Sequence, residues 1–132
     1  MPLKISLKPH EKVFIGGAVV QNDEGHVVFS ILNDVPVLRE KDVVTEAEAN
    51  SPCGRIYLCV QLMYMDPQNL VSYQSSYGAL MAEVLNAAPS TQTMIAEMNA
   101  ELACGKYYQA LKIARKLMQY EQELINHVRQ PA

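Results

Sequence analysis

Residues 35–67 read VPVLREKDVVTEAEANSPCGRIYLCVQLMYMDP, and the chain changes character within them. Before this stretch, short runs alternate apolar and polar side chains, the period-two signature of half-buried strands. After it, apolar residues recur at helical spacing to the end. Two helix starts lie inside. Thr45-Glu46-Ala47-Glu48 is a capping-box sequence, in which hydroxyl and carboxylate each take an orphan amide of the other residue. Ser51-Pro52 repeats the signal, because serine caps and proline loses nothing at the first helical position. Asp66-Pro67 closes the second helix and caps a third. The stretch therefore predicts an α+β chain. A small antiparallel β module of four to five short strands, residues 1–44, precedes a module of four to five helices, residues 45–132.

Toward the N-terminus, Leu3, Ile5 and Leu7 alternate with Lys4, Ser6 and Lys8, and Pro9 ends the run. A second strand is expected over 12–21, with Gly16-Gly17 as a bulge or a close backbone approach. Asn22-Asp23-Glu24-Gly25 reads as a hairpin turn with Gly25 at positive φ. Residues 26–32 read as a third strand, and 35–39 as a fourth that Pro36 confines to an edge. Strands so few and short need the helices or a second copy for stability, and an exposed edge at 35–39 predicts a homodimer. Lys4, Ser6 and Lys8 share one strand face. With Arg39 and Lys41 they are the candidate RNA-binding residues, since a guanidinium stacks on a base or forks onto phosphate where a point charge does neither. The same lysines equally suit the wet face of a half-buried sheet. The alternating signs of Arg39-Glu40-Lys41-Asp42 suit local ion pairs worth little.

Toward the C-terminus, helices are expected at about 46–50, 52–65, 67–87, 91–104 and 106–128. The 52–65 helix is apolar on nearly all sides and reads as the buried central one, with Cys59 and Met63 filling core rather than binding metal. The next carries a stripe of Leu70, Tyr73, Tyr77, Leu80, Met81, Val84 and Leu85. A shorter one follows, with Met94, Ile95, Met98 and Leu102, and ends at a glycine cap, Gly105. The last aligns Tyr107, Leu111, Ala114, Met118, Leu124 and Val128. Residues 93–120 resemble one helix–turn–helix unit of a tetratricopeptide repeat, with no second copy at that period. On the far face of the last helix, Lys106, Lys112, Arg115 and Lys116 occur with no acid from 106 to 118. Lys112, Arg115 and Lys116 sit at i, i+3 and i+4 and so share a surface. They form a secondary patch suited to RNA backbone, to an acidic partner, or to plain solvation.

Composition narrows the function classes. The chain has 132 residues and a net charge of −3, against the basic excess of a general nucleic-acid binder. Any RNA contact must therefore come from local clusters, which suffice to position a strand. No 18-residue apolar run exists, so no membrane span is expected. MPLKISLKPHEK lacks the continuous apolar region of a signal peptide. Cys53, Cys59 and Cys104 are odd in number and lack metal-like spacing, which suits reduced thiols in the cytoplasm. The histidines His10, His26 and His127 are scattered, and no phosphate loop, dinucleotide fingerprint or zinc-protease motif occurs. No catalytic residue, metal or cofactor is expected, and the chain reads as a non-enzyme.

LREKDVVTEAEANSP followed by RIYLCVQLMYMDP, the opening MPLKISLKPHEKVFIGGAVV and the late GKYYQALKIARKL together resemble the FlbT family of flagellum biosynthesis repressors. The resemblance runs over nearly the whole chain. It implies a cytoplasmic bacterial regulator that associates with the 5′ untranslated leader of flagellin mRNA and promotes its degradation. It also implies partners, a FlaF-type regulator or flagellin itself. On that alternative the chain is a protein-interaction module with an indirect effect on mRNA, as repressor or activator. A second, local resemblance is to the CsrA family of mRNA-binding regulators, carried by LKISLKPHEKVFIG and PVLREKDV. It implies an RNA-binding surface on the first and last strands of an interlocked dimer, with Arg39 central and Lys8 at a basic position. Leu7 departs from that pattern, standing where the family is also basic.

Overall fold

The computed structural model describes residues 3–129. The fold is α+β, with five short antiparallel strands in two small sheets followed by four α-helices. The chain divides between Val43 and Val44 into two compact units.

In the first unit, β1 (Leu3–Leu7) pairs antiparallel with β4 (Val27–Ile31), setting Ile5 opposite Phe29 and Leu7 opposite Val27. β2 (Lys12–Ile15) lies between β3 (Ala18–Gln21) and β5 (Val37–Arg39), antiparallel to both. Period-two alternation puts Ile5, Leu7, Val13 and Val37 into one core, flanked by Ile15, Phe29, Ile31 and Val35. The two expectations for 12–25 are corrected here. The 12–21 stretch is not one bulged strand but a tight hairpin. Gly16 and Gly17 take φ of 52° and 95°, the double positive φ that a two-residue turn of matching twist demands. That turn uses up β3 on β2, so 22–25 joins two sheets instead of closing a hairpin. The amide of Asn22 latches the joint, its Nδ2 donating to the carbonyls of Leu7 (3.2 Å), Lys8 (3.0 Å) and Gly25 (2.8 Å). Gly25 does take the expected positive φ of 66°.

The helical unit begins on a clamp. Gln61 is buried, donates through Nε2 to the carbonyl of Val44 (2.9 Å) and accepts the Val44 amide (2.7 Å). The capping box forms: the Glu48 amide donates to Thr45 Oγ1 (3.3 Å) and the Thr45 amide to Glu48 Oε1 (3.1 Å). It frames a single turn, however, and the helix expected at 46–50 is absent. The cause is local, since Ser51 takes an extended backbone to cap the next helix and leaves no room for a second turn. That helix, α1 (Pro52–Met65), is the central one, with Ile56 and Val60 wholly excluded from solvent. Ser51 Oγ accepts from the Gly54 amide at 3.0 Å. A Cβ on Gly54 would stand 3.0 Å from that hydroxyl and 3.4 Å from Ala49 Cα, which is why the position is glycine.

A 3-10 turn, Pro67–Asn69, leads into α2 (Leu70–Ala87), and another, Pro89–Thr91, into α3 (Gln92–Ala103). Asp66 ends α1, but its carboxylate takes no backbone amide of the next helix. It accepts from Tyr73 Oη (2.6 Å) and Asn69 Nδ2 (2.8 Å), and those bonds hold its pKa below the ordinary carboxylate value. Tyr77 donates to Asn99 Oδ1 (2.6 Å), tying α2 to α3. Gly105, at φ 72°, turns the chain into α4 (Tyr107–Arg129). α4 runs antiparallel to α1: Glu121 Oε2 accepts from the Cys53 amide (3.1 Å), Arg115 reaches Tyr57, and the Tyr108 ring lies against Tyr64. Its buried stripe is Ala110, Leu111, Ala114 and Leu117. Leu124 and Val128, expected on that stripe, are 36% and 82% exposed. Glu121 already meets the start of α1, so the last two turns of α4 have no α1 left to pack on.

Burial pushes the Cys53 thiol up to about 12, with the Glu121 carboxylate adding to the shift, and burial raises Cys59 as well. Cys104 is exposed. A thiol reagent at pH 8 is therefore expected to modify one cysteine of the native protein and all three after denaturation. Rapid reaction of two or three native thiols would overturn this placement. The raised Cys53 value means the folded state holds that proton more tightly. Its contribution to stability is complete below the ordinary thiol value of 9.0 and is lost as pH rises toward about 12.

Candidate nucleic-acid interface

Ile5 and Leu7 point into the core, so the alternation of β1 turns Lys4 and Ser6 the other way. Lys4 is exposed and Ser6 half-buried, and Lys8 is exposed one residue past the strand. Arg39 ends β5 in the other sheet and is half-buried. Its Nη1 donates to the backbone carbonyl of Ser6 at 3.0 Å, across 33 residues of sequence. Arg39 is thus brought to the Ser6 backbone, and Lys4 and Lys8 share the Ser6 face of β1 by its alternation. Lys41 is exposed on the 3-10 turn Glu40–Asp42, one step beyond β5, and takes no part in the Arg39–Ser6 contact.

The structure adds a residue that sequence reading left out. His26, just before β4, places Nε2 2.8 Å from Ser6 Oγ, a pair made by the β1–β4 register and separated by 20 residues. Only knowledge of which strand pairs with β1 would have revealed it.

The secondary patch sits on α4 of the helical unit. Lys112, Arg115 and Lys116 are all exposed. They are not equivalent. Arg115 donates from Nη2 to the hydroxyl of buried Tyr57 (3.1 Å), its guanidinium carbon 5.6 Å from the ring centre. Lys112 holds Nζ 5.0 Å above the ring of Tyr108, which is itself 6.1 Å from the Tyr64 ring at a 48° tilt. Among the described residues, no group of His, Cys, Asp and Glu is arranged to hold a metal ion, and no helix is long and apolar enough to cross a membrane.

The family profile described as "Flagellar protein FlbT" matches residues 3–125. The chain is 40% identical over 126 residues to the "Probable flagellum biosynthesis repressor protein FlbT" of Rhodopseudomonas palustris (strain TIE-1), covering 96% of this chain and 99% of that one. It is 37% identical over 130 residues to the protein of that name from Caulobacter sp. (strain K31), covering 97% and 99%. It is 36% identical over 131 residues to the "Flagellum biosynthesis repressor protein FlbT" of Caulobacter vibrioides, covering 97% and 92%. No solved structure matches. The chain belongs to the FlbT family of flagellar proteins.

Proposed function

We propose that this chain is a cytoplasmic, post-transcriptional regulator of flagellum formation. It binds the 5′ untranslated leader of a flagellin mRNA, promotes degradation of that message and so represses flagellin synthesis. The observation that carries the RNA contact is the fixing of Arg39 on the Ser6 carbonyl. A guanidinium has five N–H donors, and one bond to a strand backbone orients the rest without exhausting them. It suits a phosphate or a guanine edge, with Lys4 and Lys8 supplying further charge from β1. Lys41 extends the charge, and Lys112, Arg115 and Lys116 form the secondary contact.

A second reading is favoured by β3, all four residues of which are exposed, Val19 to 73%, whereas the edge expected at 35–39 has Val37 and Leu38 buried. An apolar edge strand invites pairing with another chain. The occupant is a second copy in a homodimer, or a protein partner such as a FlaF-type regulator or flagellin. With a partner the effect on mRNA is indirect and its sign can be activating. Sedimentation across micromolar concentrations tests the dimer, and a monomer throughout removes it.

The deciding experiment is binding of the purified chain to a labelled flagellin leader, with an unrelated leader as control, across a salt series. Saturable, leader-selective binding that weakens steeply with salt is expected. Equal binding to both leaders, or none, would move the function to a partner protein.

A further inference from the structure

We propose that the Tyr108 face of α4 is a stacking site for single-stranded RNA, taking an unpaired base on the Tyr108 ring and its phosphates on Lys112 and Lys116. This rests on the RNA reading above and adds a second, chemically different contact to it.

The geometry is that of a platform. Tyr108 is 41% exposed. Tyr64 supports it from α1 at 6.1 Å, which fixes the plane of the exposed ring. Tyr108, Lys112 and Lys116 stand at i, i+4 and i+8, one above another along about 12 Å of helix. From 106 to 118 no acid interrupts them, in a chain whose net charge is −3. Arg115, oriented by its bond to Tyr57, adds charge beside the line.

Lys112 now covers the Tyr108 ring, Nζ 5.0 Å from its centre. At an exposed site that cation–π contact is weaker than stacking of a base on the same ring. A phosphate draws the flexible lysine aside, and the base takes the vacated face. Carboxylates of an acidic protein would use the lysines alike but gain nothing from an open ring, so the exposed tyrosine favours RNA. Stacking reads no base edge, so the site is tolerant of sequence and selects for unpaired strands.

The test uses the full chain with two fluorescent probes, a ten-nucleotide oligoadenylate and an RNA duplex of equal length. Tyr108→Ala is expected to weaken oligoadenylate binding by about tenfold, whereas Tyr108→Phe stays within about twofold, because the ring is kept. Duplex affinity is expected to change little in either. If Tyr108→Ala lowers the thermal midpoint, the surface variant Lys112→Gln/Lys116→Gln decides, with weaker oligoadenylate binding and a flatter salt dependence expected. Unchanged oligoadenylate binding in these variants, while an Arg39→Ala/Lys8→Ala variant loses the flagellin leader, overturns this site and leaves the RNA reading standing. Absence of RNA binding by the unaltered chain overturns both. Lysine-dependent capture of polyglutamate in place of oligoadenylate assigns the face to an acidic protein and overturns the proposal.

Discussion

Replacing Arg39 and Lys8 together by alanine is expected to lower affinity for a flagellin leader by about tenfold or more. Hydrogen bonds to charged groups are worth roughly 1.5–3 kcal/mol, and about 1.4 kcal/mol is a factor of ten in affinity. Removing two phosphate contacts from a single strand should also flatten the dependence of log K on log salt by about 1.4. Arg39 carries a structural duty as well, because its bond to the Ser6 carbonyl joins β5 to β1. Losing that bond costs roughly 1–3 kcal/mol, so binding must be measured well below the thermal midpoint. Arg39→Lys separates the roles, keeping the charge while losing the fork, and should fall between the two. Affinity of the double variant within twofold of the parent, with an unchanged salt slope, would remove these residues from the interface.

The largest expected effect on stability is at Leu117. It is wholly excluded from solvent, on a buried stripe with Ala110, Leu111 and Ala114. Leu117→Ala is therefore expected to cost about 3 kcal/mol, the mid-range for a buried leucine. Against a typical total of roughly 5–15 kcal/mol, that is a large share. Urea unfolding should show a lower midpoint at unchanged slope. Val128→Ala, on the same helix at 82% exposure, should fall within about 0.5 kcal/mol of the parent. Equal losses at the two positions would mean that α4 packs through a different face.

Both effects depend on features that differ in how far the sequence discloses them. Helix starts and stops are written in neighbouring residues, and the Ser51 cap and the Gly105 turn form as local chemistry dictates, while the Thr45–Glu48 box forms but starts no helix. The stripes of α2 and α3 follow from periodicity for the same reason. Periodicity says which residues share a face but not where the opposing helix stops, hence the exposure of Leu124 and Val128. Paired glycines serve a bulge or a tight turn alike, so 12–21 was ambiguous until its pairing was known. In the site, the strand alternation of Lys4, Ser6 and Lys8 was legible. The seating of Arg39 on Ser6 and the Ser6–His26 pair were not, because each joins residues 20 or more apart through strand order. Likewise the tether of Arg115 to Tyr57 spans 58 residues, and charge counting treats it as one more cation.

The bond from the Cys53 amide to Glu121 spans 68 residues. A ribosome adding roughly 5–20 residues per second takes roughly 3–14 seconds to cover that distance. Throughout that interval α1, the central buried helix, exists without the helix that covers one flank and takes its first amide. The unit cannot close from its N-terminus as it is made, so the nascent chain passes through a window in which α1 is open to chaperones, to proteases or to another copy of itself.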